Sequence, residues 1–215
     1  MSNTSLPASG PGRPKDPAKR QAILEAAKTL FLRHGYASIS MDAIAAEAGV
    51  SKLTVYSHFN DKETLFSAAV QARCEEQLPE HLFELPEGAP IERVLEAIGL
   101  SFCALINSHE SIELHRVMVT LATQDATLSR MFYEAGPQRV LVEMERLLRK
   151  ADARGQLRLG NPQTAAEHFL CLLKGVANFR LLVGCGEAPQ GEAAEQHVRE
   201  VVALFVRAFQ VSERT

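Results

Sequence analysis

Apolar residues recur three and four apart along almost the whole chain, the period of a helix face, and no segment shows the alternation of a half-buried strand. The first stripe, Ile23, Ala26, Ala27, Leu30 and Phe31, predicts a helix over 17–33, with Pro17 in its first turn and His34-Gly35 ending it. Met41, Ile44, Ala45 and Ala48 form a second, shorter face. Ser40 stands where its hydroxyl can accept from a first-turn N–H, and Gly49 where a left-handed conformation costs little. Ser51 caps a third short helix over 52–59, and Asn60 or Asp61 caps a longer one over 62–78. Pro79, Pro86 and Pro90 then punctuate a linker. Beyond it the pattern predicts helices over 91–107, 110–124, 125–152, 162–184 and 192–210. The third of these is capped by Asp125 and bends at Gly136-Pro137, where proline removes a ladder bond. The expected fold is all-α, about nine helices. Its expected parts are an N-terminal arm (1–16), a three-helix module containing a helix-turn-helix (about 40–59) together with the longer helix after it (17–78), and a helical body (79–215).

Composition changes this picture little. The 215 residues are 46% hydrophobic and 23% charged, ordinary for a globular protein. No apolar run is long enough to span a membrane, and the Pro-, Gly- and Ser-rich start lacks the apolar core of a signal peptide, so a cytoplasmic location is expected. Charge matters more, because it is unevenly placed. Through Arg73 there are nine Lys/Arg against six Asp/Glu, whereas the remainder is acidic. A basic module on an acidic body suits a chain that touches a polyanion at one end. Cys74, Cys103, Cys171 and Cys185 have neither zinc-like spacing nor the look of a disulfide framework, and buried small hydrophobes are their default role. His109 and Glu113 stand one turn apart without a third ligand, so no metal and no cofactor is expected. No nucleophile elbow, paired-carboxylate spacing or phosphate loop points to an enzyme.

The chemistry concentrates in the two short helices. In a helix-turn-helix the second helix enters the major groove, while flanking groups hold phosphates. Over 52–59 the helix is about two turns long, so few side chains reach base edges. Lys52 and Thr54 lie near its N-terminus, Tyr56 and His58 can donate to phosphate oxygens, and Lys62 offers a second anion contact. Val55 and Phe59 are expected to pack inward. Arg13 and Lys15 form a basic arm resembling those that enter an adjacent minor groove.

The segment ILEAAKTLFLRHGYASISMDAIAAEAGVSKLTVYSHFNDKETLF, covering Ala22 to Phe66, resembles the DNA-binding domain of the TetR/AcrR family of bacterial transcriptional regulators. The resemblance implies a homodimer on double-stranded operator DNA of palindromic sequence, usually a repressor, released when a small-molecule effector enters the C-terminal domain. The alternative is an activator, or a partner-controlled regulator without a small effector. By the same resemblance Ser40, Ser51, Lys52, Thr54, Tyr56, His58 and Lys62 match positions that touch DNA. Leu53 departs from the pattern, since the family commonly has a small residue there; a leucine can meet a thymine methyl.

The body is similar to the family's variable regulatory domains through ELHRVMVT, MFYEAGPQRV and CLLKGV. Phe102, Leu114, Arg116, Met118, Phe132, Met144 and Phe169 are its candidate pocket residues. The last two amphipathic helices are expected to bury Phe169, Leu173, Val176, Val198, Val202, Phe205 and Phe209 against the same helices of a second subunit.

Overall fold

The computed structural model describes residues 16–123 and 126–210. Among these residues there are ten α-helices and one 3₁₀ turn, and no strand. The four N-terminal helices are α1 (Pro17–His34), α2 (Met41–Glu47), α3 (Lys52–His58) and α4 (Lys62–Gln77). After the turn at Glu80–Phe83 come α5 (Ile91–Asn107), α6 (His109–Leu121), α7 (Ala126–Ala135), α8 (Pro137–Ala153), α9 (Pro162–Leu182) and α10 (Glu192–Ala208). The long helix expected to bend at Gly136-Pro137 is divided there into two. Gly136, at φ −119 and ψ −84, interrupts it, and Pro137 begins the next helix at its first position. The expected Asp125 cap and the arm residues Arg13 and Lys15 lie outside the described residues.

Local chemistry starts the N-terminal helices as read from sequence. The Ser40 hydroxyl accepts from Ala43 N–H at 3.1 Å, Ser51 from Thr54 N–H at 3.1 Å, and the Asp61 carboxylate from Thr64 N–H at 2.7 Å. Each satisfies a first-turn donor that the helix itself leaves unpaired. The α2–α3 turn passes through Gly49 at φ +64, a conformation that penalises any side chain. Around these caps a small core closes on Ile23, Ala27, Ile44, Val55, Leu65 and Phe66. Phe31, Tyr36 and Phe66 meet in tilted and edge-to-face ring pairs, with centroids 5.2–5.6 Å apart. Met118 of α6 and Leu128 of α7 belong to this same core, so the body reaches into the N-terminal module.

The larger core lies between α5, α8, α9 and α10. Met144, Phe169, Leu173, Val198 and Phe205 are at most 2% exposed there. Gly99 lets α10 approach α5: a Cβ on it would stand 2.6 Å from Val198 Cγ1. The second half of the linker is tied down by the loop after α8. Gln156 accepts from Ile91 N–H at 2.7 Å and donates to Ala89 O, while Arg154 donates to Leu85 O and Pro86 O.

One break shapes α9. Gly175 sits at φ +55, ψ −172, a region open essentially to glycine. The Leu173 carbonyl, pulled out of the helical ladder, accepts from His197 Nε2 at 2.9 Å and from Cys103 Sγ at 3.7 Å. Beyond the break, buried Asn178 donates to Ile106 O and to Asn107 Oδ1. The half of α9 before the break is thus bound to α10 and α5, and the half after it to the end of α5.

Candidate functional site

The recognition head is built so that nearly all of α3 faces outward. Val55 is its one buried residue, fully enclosed, and Phe59 just past its end is 3% exposed with the Arg20 guanidinium over its ring. Ser51, Lys52, Leu53 and Tyr56 are exposed, and Thr54 and His58 half-buried. Leu53 is 82% exposed, more than any other large apolar residue described. Ser51 and Thr54 hydroxyls meet at 2.8 Å, so both are oriented at the start of the helix. Lys52 pairs with Asp42 of α2 at 2.8 Å, and that carboxylate, by hydrogen bond and charge, holds its ammonium above the ordinary lysine range. Ser40, the α2 cap, is exposed as well. Lys62 lies with Nζ 4.2 Å from the Tyr36 ring centroid and donates to Ala37 O at 3.4 Å. Burial pushes its pKa below the usual lysine value.

A second site lies in the body. A cavity of about 210 Å³ opens between α4, α5, α6, the α7–α8 corner and α9. Its apolar wall includes Val70, Phe102, Leu114, Phe132, Val140 and Leu170. Gly136 brings that corner onto α4: a Cβ there would stand 3.2 Å from Val70 and 3.3 Å from Cys74 Sγ. Cys74 lines the cavity too, and burial pushes its thiol up to about 11. Arg73 on α4 faces both this cavity and a smaller cleft between α1, α4 and α6. Its contacts to Glu76 (4.0 Å) and Glu110 (3.8 Å) are long, and its Nε is buried with no partner.

Residues 23–69 match the family model of bacterial regulatory proteins of the tetR family. Residues 93–211, more than half of the chain, match that of the AefR-like transcriptional repressor C-terminal domain. The chain belongs to the TetR family. A TetR-family regulator from Mesorhizobium loti MAFF303099 superposes with a TM-score of 0.76 at 30% identity, covering 91% of this chain and all of that one. The Flavonoid-responsive Regulator FrrA gives a TM-score of 0.70 at 29% identity, over 92% of this chain and 100% of its own. The HTH-type transcriptional regulator SrpR of Pseudomonas putida is 28% identical over 158 residues, 73% of this chain and 72% of that protein. As a TetR-family member the chain is a DNA-binding transcriptional regulator, in a non-enzymatic family.

Of the sequence-predicted residues of the head, Ser40, Ser51, Lys52, Leu53 and Tyr56 are exposed and Thr54, His58 and Lys62 half-buried, whereas those of the body scatter. Phe102, Leu114 and Phe132 line the cavity. Arg116, Met118, Met144 and Phe169 do not. Arg116 instead holds the end of α9, donating from Nε to Leu182 O at 3.0 Å and from Nη2 to Leu181 O at 2.6 Å, and it pairs with Glu113. Met118 sits in the N-terminal core, and Met144 and Phe169 in the larger one. The expected dimer stripe is corrected more sharply. Phe169, Leu173, Val198, Val202 and Phe205 are all at most 2% exposed within one subunit, and Phe209 packs half-buried on Phe205. Only Val176 of that set is open, at 64%. The open apolar ridge of α9 is Leu172, Val176, Phe179 and Val183. Two cysteines also depart from the buried default, since Cys171 and Cys185 are exposed. Sequence reading missed His115, Arg73 and Gly136 in the cavity. His115 carried a signal, a histidine spaced three residues from buried Ile112 and Met118 on one face of α6.

Among the described residues no helix is long and apolar enough to cross a membrane.

Proposed function

We propose that this TetR-family regulator is a cytoplasmic homodimer that represses transcription from a palindromic operator and is released when a small molecule enters the body cavity. The carrying observation is the double duty of α4. Leu65, Phe66 and Ala69 close the N-terminal core, and Val70, Arg73 and Cys74, directly continuing the same helix, form a wall of the cavity. A molecule filling the cavity favours the tilt of α4 that accommodates it. The two α3 helices of a dimer then no longer match successive major grooves on one DNA face. A relative named for its response to flavonoids, alike over 92% of this chain, supports a small-molecule signal here as well.

In this reading Ser40, Ser51, Lys52, Thr54, Tyr56, His58 and Lys62 make the phosphate and base contacts, Leu53 meets a thymine methyl, and the Arg13 and Lys15 arm follows the adjacent minor groove. The dimer forms through the Leu172–Val183 ridge of α9 and the outward face of α10, where Leu204 is 47% exposed. Selection of duplexes from a random pool tests it. An inverted repeat with steep salt dependence is expected, and Leu53→Gly is expected to shift the preferred base at one position of each half-site. Recovery of no enriched motif, or a salt-independent affinity, overturns the DNA contacts. A reporter from the selected site then separates repression from activation.

A further inference from the structure

We propose that the body cavity selects a phenol, a single aromatic ring bearing a hydroxyl that donates its hydrogen bond to Nε2 of His115. The inference rests on the ligand-responsive reading above and names the chemistry of that site. Nδ1 of His115 lies 2.7 Å from the Ser111 carbonyl, one turn earlier on α6. A carbonyl only accepts, so Nδ1 carries the proton and neutral Nε2 presents a lone pair. That nitrogen has no protein partner among the described residues, and the ring lines the cavity. Burial, and more weakly the Lys174 ammonium, push His115 below the ordinary imidazole range, against the upward pull of the Ser111 bond. The cavity therefore offers an acceptor, and the ligand must bring the donor.

The surroundings narrow the donor. Lining cations Arg73 and Lys174 outnumber the one lining carboxylate, Glu167, which disfavours an ammonium ligand. A weakly acidic hydroxyl suits both the lone pair and the positive rim. The edge-to-face contact of His115 with Phe132, centroids 5.3 Å apart, and the nearby Phe102 supply aromatic walls. Size sets the ring count. An apolar cavity of about 150 Å³ accepts benzene, so about 210 Å³ holds one ring with a short substituent.

The test titrates the full-length protein with 4-ethylphenol, its methyl ether 4-ethylanisole, 4-ethyltoluene and 4-ethylbenzoate, by calorimetry or ligand-observed NMR. The wild type should bind the phenol roughly tenfold more tightly than the ether, the worth of one buried hydrogen bond. His115→Phe, which keeps a ring against Phe132, should bring that ratio to about one while leaving 4-ethyltoluene bound. His115→Gln, which retains an acceptor, should restore part of it. Equal affinity for phenol and ether in the wild type, or an unchanged ratio in His115→Phe, overturns the proposal. Preference for the benzoate does so too, pointing to Arg73 and Lys174 instead; all three leave the ligand-responsive reading standing. If none of the four probes binds, the phenol proposal falls, while the ligand-responsive reading, which names no ligand, stands.

Discussion

Two helices of this regulator present side chains to the outside in different ways. In α3, seven residues long, one residue is buried and the rest follow their helical positions outward. In α9, twenty-one residues long, Leu173 and Val176 stand three apart, neighbours on one face of any unbroken helix. Yet Leu173 is 1% exposed and Val176 64%. The difference is the break at Gly175. A short helix pinned by two caps and one apolar anchor has a single way to sit, so its pattern maps onto roles. A long helix interrupted at one φ/ψ pair carries two faces that no single periodicity describes.

The largest expected effect tests the α9 side. Val176→Glu with Phe179→Glu places two charges on the open ridge of each subunit, so association and operator binding should both weaken by roughly a hundredfold or more. Sedimentation and a gel shift read this, and an unchanged helical spectrum is expected because both residues are more than 60% exposed. A persisting dimer would remove the ridge from the interface.

Gly175→Ala comes next. It forces a Cβ into the left-handed region, 3.4 Å from His197, and should cost roughly 1–3 kcal/mol in chemical denaturation. A neutral outcome would mean that α9 straightens without loss, and the contrast with α3 would collapse.

On the α3 side the effects are smaller because each contact is one of several. Tyr56→Phe and Lys62→Ala should each weaken operator binding several-fold, and Lys62→Ala should reduce the salt slope by about one. An unaltered slope would assign Lys62 to packing on Tyr36 alone. The smallest effect runs the other way. Asp42→Asn releases Lys52 from its carboxylate partner, so DNA affinity should rise by roughly twofold to fivefold. Affinity that falls instead would show the pair to position α3 rather than to compete with phosphate.

Much of the fold was legible because the signals were local. Ser40, Ser51, Asp61 and Asn161 each cap a helix through their own side chains, and Gly49 turns where its φ demands. The inward Val55 and Phe59 could be separated from outward Tyr56 and Lys52 by period alone. The cavity was less legible. Phe132 lines it while equally apolar Met144 is fully buried in the adjoining core, and only the packing of α4 on the α7–α8 corner decides between them. Arg116, a candidate pocket residue by sequence, holds the end of α9 instead. Its partners, the carbonyls ending α9, lie more than sixty residues away in sequence.

The amino-acid sequence by itself determined the all-helical class, the caps and turn of the recognition head, and the side chains that α3 turns outward, since each depends on residues within a turn or two. Tertiary structure alone decided which face of α9 is open, which aromatic residues border space rather than core, and that α4 belongs to both sites. Those outcomes depend on how distant helices approach one another at Gly99 and Gly136, where an absent side chain sets the contact, and on the break at Gly175, where the backbone conformation does.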